Sequence, residues 1–402
     1  MSVSAPTTPS RFREAEARGV RLGRPLRHLG RVREIDEALM ARIAQRLTTV
    51  DEPGARVAAA IRTRSAGERV TMSQVHTALS DGIEAVPDAP PALVDFFALA
   101  GTDPAWLDRE LLARGARTYR RFGQSAADVL LQLSLIGGYR FGGPTDLLVA
   151  TGGLTGDLAR RRLGETQKWA ATLSEPGALD VGGDAWAMTL HVRLMHALVN
   201  LGFEPQWDVA RWGRPINQAD QAATLGLFDA VVLIGVRALG IPVSREDSRA
   251  VMHFWRYVGW LMGVDDDFLV ETERERHRIN YHLLLSQADL SEAGPLLAGS
   301  IVDAQRDLHF ERLPRLRGWW ARERLLSMLT VFLGPASMRE LALPLRPPWA
   351  TPLVLVRNTI DHRVLGRTAA GRARLDRRGD EAIARLMLRY FGPETPEVGA
   401  LS

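Results

Sequence analysis

No cysteine occurs among the 402 residues. Its absence excludes disulfides, thiolate-ligated haem, cysteine-held iron–sulfur clusters, zinc fingers and covalent C-x-x-C-H haem attachment. Any metal must therefore be held by histidine or carboxylate. Lysine is almost as scarce: among 51 basic residues, Lys168 is the only one that is not arginine. The nucleotide-binding signature G-x-x-x-x-G-K-[ST], a strand–G-x-G-x-x-G–helix unit and the Gly-x-Ser-x-Gly elbow are also missing, which removes the commonest routes to a nucleotide enzyme or a serine hydrolase. No apolar run near Met1 resembles a signal-peptide core and no twin-arginine leader is visible. The sequence as it stands thus reads as cytoplasmic, and as secreted only if a leader has been removed.

The net charge is only +4, and the arginine clusters (Arg11 to Arg33, and Arg372 to Arg378) are not interleaved with stacking aromatics. Solvated tails are the plainer reading, and no nucleic-acid partner is expected. The most apolar stretch, Leu225 to Ile241, carries Asp229 and Arg237, so it reads as a core helix with no membrane span. With 46% hydrophobic and 24% charged residues, the chain has the composition of a large globular protein.

The hydrophobic pattern has a helical period almost throughout, and alternating segments are scarce. Asp103-Pro104 predicts a helix start running to about Arg121, and Ser125 a helix over Ala126 to Ile136 closed by Gly137-Gly138. Thr155-Gly156-Asp157 opens the next, and Asp184 one that reaches Gly202. Asn217 with Asp220 predicts a capping box for a long core helix, and Ser244 with Asp247 repeats the device. Further helices are expected over 267–288, 318–333 and 379–390. The reading is all-α: a flexible basic arm over 1–33, one large helical domain over 34–390, and a tail over 391–402.

Four groups could carry chemistry. Asp265-Asp266-Asp267 is better read as an acidic helix start than as a metal site. Glu273, His277 and His282 lack the second Glu-x-x-His element of a di-iron bundle. The third is His191-Val192-Arg193-Leu194-Met195-His196-Ala197, where Met188, Val192, His196 and Val199 share a helix face and His191 points well away. A lone histidine on an apolar face is commonly a core residue, but a haem ligand needs just such a confined, apolar setting. Arg162, Thr166 and Trp169, at i, i+4 and i+7, give one face a cation, a hydroxyl and a ring.

Taken in order, several strings resemble the latex clearing proteins (rubber oxygenases), within the wider family of haem b oxygenases that includes the mycophenolate-pathway prenyl-chain oxygenase. They are Ser134-Leu135 with Tyr139, Ala150-Thr151-Gly152-Gly153-Leu154, Arg162-Leu163-Gly164-Glu165-Thr166 with Trp169, and Val192 to Ala197. Gly213-Arg214-Pro215-Ile216-Asn217-Gln218 and Trp255-Arg256-Tyr257-Val258-Gly259 follow. The resemblance implies a globin-like helical core holding non-covalent haem b, with His196 as the axial iron ligand. It also implies Arg162 and Thr166 as distal-pocket donors, Asp146 as a base, and Arg193 and Trp169 as further cofactor contacts. The implied reaction is cleavage of a C=C bond of a hydrophobic isoprenoid or terpenoid by O₂, giving aldehyde and ketone ends. Such a ligand histidine is expected to be neutral, its other ring nitrogen donating to an acceptor. The family's distal lysine, which precedes the threonine, is here Glu165; Lys168 stands three residues on, where a Glu165–Lys168 surface pair is the plainer expectation. Other readings of the same residues are a peroxidase-like or monooxygenase activity on a smaller lipid, a haem sensor or carrier without turnover, and a basic helical nucleic-acid binder.

Overall fold

The structure is a computed structural model that describes residues 8–65, 67–152 and 157–393, leaving aside the side chains of 157–159. Among the described residues every regular element is a helix and none is a strand, as the periodicity predicts.

The N-terminal segment departs from the flexible arm expected over 1–33. Residues 1–7 lie outside the described residues, but from Pro9 onward the chain is packed. Helices α1 (Glu16–Leu22) and α2 (Arg24–Leu29) lie against a helix far along the chain. Arg11 is fully buried and its guanidinium pairs with Asp220 at 2.5 Å. A buried arginine needs a fixed anion, and composition could not reveal that Arg11 had one 209 residues away.

Helices α3 (Glu37–Arg46), α4 (Glu52–Arg62), α5 (Met72–Asp81) and α6 (Pro91–Ala100) follow. Asp36, Asp51 and Thr71 cap the first three through their side chains. Helix α7 (Arg109–Phe122) begins later than Asp103-Pro104 suggested. Its cap is Asp108, which accepts from the backbone of Glu110 and Leu111, while Asp103 is held outside the helix by Arg109. The apolar helix expected after Ser125 runs as α8 (Gln124–Val129) and then widens into a π turn over Leu130–Ile136. Next come α9 (Pro144–Ala150), α10 (Asp157–Thr172), α11 (Asp184–Phe203) and the short α12 (Val209–Trp212). Thr155 and Gly156, expected to open α10, and Gly153 and Leu154 of the quoted string, lie outside the described residues.

The long core helix predicted after Asn217 is broken into α13 (Gln218–Phe228) and α14 (Ala230–Ala238). Asp229 causes the break: its backbone leaves the helical region, and its carboxylate accepts from Arg276 at 2.7 Å with both side chains fully buried. Taken together, Gln218–Ala238 is long and apolar enough to cross a membrane by length and composition alone, and 67% of its most apolar window is buried inside the fold.

Helix α15 (Arg245–Leu261) is capped by Ser244 as expected and is buried along most of its length. It packs along α7 at close range: a Cβ on Gly115 would lie 2.1 Å from the Ala250 carbonyl oxygen, so only glycine permits the approach. Helices α16 (Glu273–Leu285), α17 (Ala293–Ala304), α18 (Pro314–Phe332), α19 (Gly334–Glu340), α20 (Ala350–Thr359) and α21 (Ala369–Phe391) complete the chain. The main core gathers side chains from α3–α7, α11 and α13–α16, around the fully buried Trp255 and Tyr257. A second cluster joins the π turn to α17, α18 and α19, and Leu133 and Phe332 pack against both, so the apolar interior is continuous.

Candidate functional site

Helix α11 buries one face and leaves the adjoining face half open. Trp186, Leu190, Arg193, Leu194 and Ala197 are buried, against α4 and α15 among others. Met188, Val192, His196 and Val199 are only half-buried. The stripe read from the sequence is therefore apolar but incompletely covered. A flat hydrophobic group would complete its burial, at about 25 cal/mol per Å² of apolar surface removed from water.

His196 stands in the middle of this stripe. Its Nδ1 is sealed from solvent and has no hydrogen-bond partner among the described residues, an unusual state for a buried polar atom. Burial pushes its pKa down from 6.5 to about 4, and the charge of Asp51 opposes only part of that shift. The imidazole is thus neutral at physiological pH, the form that can bind a metal. The acceptor expected for its second ring nitrogen is not supplied to Nδ1, because the carboxylate whose charge reaches His196 is already engaged.

That carboxylate is Asp51, at the cap of α4. Arg193, one turn before His196, meets it with Nε–Oδ2 and Nη2–Oδ1 distances of 2.7 Å each, and donates through Nη1 to the Leu261 carbonyl at 3.2 Å. Its guanidinium also lies 5.1 Å from the centre of the Phe96 ring. With all three nitrogens engaged, Arg193 fastens α11 to α4 and α15. Asp51 could be read from the sequence as a cap; its long-range arginine could not.

Trp169 also joins two helices. Its Nε1–H donates to Thr189 Oγ1 at 3.0 Å, and its ring packs on Phe228 and Trp255. Trp169 lies one turn from the end of α10 and Thr189 one turn into α11, so this bond pins the ends flanking the connection between the helices. Arg162 is seven residues before Trp169 and His196 seven after Thr189. Seven residues make two turns, so each shares its helix face with the pin and lies about 10.5 Å along the axis from it. Past the pin, α10 packs mainly on α21 and α17 and less on α11. Arg162 and Thr166 are exposed there, and the Thr166 hydroxyl donates to the Arg162 carbonyl at 3.1 Å. Two cavities among the described residues, of about 110 and about 480 Å³, are lined by none of His196, Arg162 and Thr166.

Glu165 pairs with Arg161 at 3.1 Å, one turn back. Asp146 occupies the first turn of α9, where one carboxylate oxygen accepts from Gly143 N at 2.8 Å and Ser291 Oγ at 3.0 Å. It is half-buried, and its other oxygen is not used by that cap.

The acidic run behaves as the plainer reading had it: Asp265 caps a short turn and, with Asp267, meets Arg46 at 3.0 Å. His277 contacts Glu273 at 3.3 Å, whereas His282 bonds the Arg278 carbonyl and the Asp36 N–H. No group of three or more His, Cys, Asp or Glu side chains that could hold a metal occurs among the described residues. An iron held by protein alone is therefore not supported, whereas one histidine is all that a haem iron asks of the chain.

Residues 116–370 match the family model described as ER-bound oxygenase mpaB/B'/Rubber oxygenase, catalytic domain. A rubber oxygenase of Streptomyces sp. (strain K30) is 24% identical over 200 residues, which is 47% of this chain and 47% of that protein, so the match spans about half of each. The solved structure of the latex clearing protein LCP in the closed state superposes with a TM-score of 0.62 at 21% identity, covering 85% of this chain and 91% of that one. At that identity the superposition speaks for the fold.

Proposed function

Because the chain belongs to the family of the ER-bound mpaB/B' oxygenases and the rubber oxygenases, we propose that it is a haem b-dependent dioxygenase that cleaves a C=C bond of an isoprenoid chain with O₂. The observation that carries this reading is His196: a neutral imidazole in the middle of an apolar helix face that the described residues leave half-buried. Haem would supply the redox chemistry with dioxygen, and no cysteine is present to tether it, so it would be bound non-covalently.

The chain's residues have three tasks in this reading. His196 holds the cofactor from α11, its position fixed by the Arg193–Asp51 pair one turn earlier and by the Trp169–Thr189 pin two turns earlier. Arg162 and Thr166 lie on the face of α10 that leads away from the same pin, free of packing that would immobilise them. There they donate hydrogen bonds to negative charge as it develops on oxygen; Thr166 does so by rotating its hydroxyl away from the Arg162 carbonyl. The oxygen of Asp146 outside the α9 cap is available to take an allylic proton if the reaction requires one. The stoichiometry is closed by O₂ alone: both atoms end on the two carbons of the broken double bond, as one aldehyde and one ketone.

The test is oxygen uptake with isoprenoids of graded length, followed by analysis of carbonyl products. Aldehyde- and ketone-ended fragments matching consumed oxygen support the reading. A haem protein that consumes no oxygen with any of them is a carrier or sensor instead.

A further inference from the structure

Most of the large hydrophobic side chains left exposed among the described residues fall between Leu313 and Leu365. They are not scattered. At the start of α18, Leu313, Leu316 and Trp320 follow at i, i+3 and i+7 and are 66%, 58% and 50% exposed, whereas Leu325 to Leu329 on the same helix are buried. On α20 and the π turn after it, Leu353, Val356, Ile360 and Val364 repeat that spacing over successive turns, each at least half exposed. The Trp320 and Trp349 rings, 5.8 Å apart, join the two stripes into one face. Soluble proteins rarely leave so long an apolar surface in water without a use for it.

The charge of the face is one-sided. Arg312, Arg315, Arg317, Arg363 and Arg367 are exposed along its two stripes, and none forms an ion pair among the described residues. The nearby acids are already neutralised: Asp303 by Arg322, Glu323 by Arg322 and Arg346, and Asp361 by Arg357 and Arg378. Among the described residues Asp307 and Glu311 stand exposed beside them without an ion pair, two acids against five free arginines.

This combination decides between occupants. Two copies of the chain meeting by this face about a twofold axis would oppose arginine to arginine. An uncharged surface would make no use of the cations. An anionic bilayer interface uses every part: the aliphatic side chains enter the acyl boundary, the tryptophans sit at headgroup level, and the arginines reach the phosphates. We propose that the α18–α20 face docks the protein on an anionic lipid surface, with both helices lying in the interface plane. This does not depend on the haem or on turnover.

The experiment is flotation of the full chain with vesicles of phosphatidylcholine alone and of phosphatidylcholine mixed with phosphatidylglycerol. The protein is expected to float with the mixed vesicles only, and to be released by salt. Leu353→Ser with Val356→Ser should abolish flotation, and Arg315→Gln with Arg363→Gln should weaken it by about tenfold or more, since each cation near an anionic leaflet adds to binding. All four positions are exposed, so far-ultraviolet circular dichroism should be unchanged in both variants. Absence of flotation with the mixed vesicles, or equal flotation with the neutral ones, overturns the proposal. So does a dimer in solution that the Leu353→Ser, Val356→Ser variant splits, which would make the face an interface between copies.

Discussion

Replacing Asp51 by asparagine should be one of the most damaging single-atom-scale changes available near the site. Asparagine remains a good helix cap, so the bond to Gly54 N at the start of α4 can survive. What is lost is the partner of a guanidinium whose side chain is 5% exposed, in a pair whose acid is 10% exposed. Removing one member of a buried pair costs about 3–5 kcal/mol, because the remaining charge stays desolvated. Arg193→Met removes the charge instead, and the double variant Asp51→Asn, Arg193→Met removes both. The double variant should therefore be destabilised by clearly less than the sum of the singles, a coupling that only a cycle of three variants reveals. Urea unfolding of the haem-free chain at neutral pH, followed by circular dichroism, measures it. If Asp51→Asn costs under about 1 kcal/mol, the pair behaves like a surface ion pair, and the argument that it fixes α11 beneath His196 is refuted.

Three further outcomes follow from the same geometry. Arg162→Ala and Thr166→Ala should retain haem and fold normally, since both side chains are exposed, yet raise the barrier to turnover by about 2.7–4 kcal/mol as oxyanion donors do; unchanged turnover in both would place that helix face outside the chemistry. The ferric absorption spectrum should carry no lysine signature and should be the same in Lys168→Ala as in the parent, because position 165 is glutamate and pairs with Arg161; a low-spin amine-type spectrum lost in Lys168→Ala would contradict this. The haem-free protein should lose stability as the pH falls from about 6.5 to about 4, because His196 is protonated in the unfolded chain before the folded one. The loss is up to about 3 kcal/mol for a shift of that size and levels off below pH 4; His196→Ala should flatten this part of the pH profile, and an unaltered profile would show that the imidazole is solvated.

The helical class and most helix positions could be read from local signals: the Ser244 and Asn217 caps, and the 3.6-residue period that put Met188, Val192, His196 and Val199 on one face. What escaped the sequence was non-local. The Arg11–Asp220 pair turned a supposed arm into packed structure, and the buried Asp229–Arg276 pair broke a helix that periodicity drew as continuous. The sequence could place Arg193 and Trp169 on their helix faces, but their partners, Asp51 and Thr189, lie across the packing between helices. Spacing along one helix predicts which residues share a face, not which distant side chain meets that face. Asp103-Pro104 misled for a local reason: Asp108, five residues later, is the better cap because its carboxylate reaches two helix N–H groups.

The central claim is that His196 is the chain's link to haem, and the haem content of two histidine variants tests it most directly. The parent protein should purify with a Soret band. His196→Ala should lose most of it while keeping its helical circular dichroism, and His191→Ala, on another face of the same helix, should keep it. Full haem in His196→Ala, or equal loss in both variants, would contradict the account.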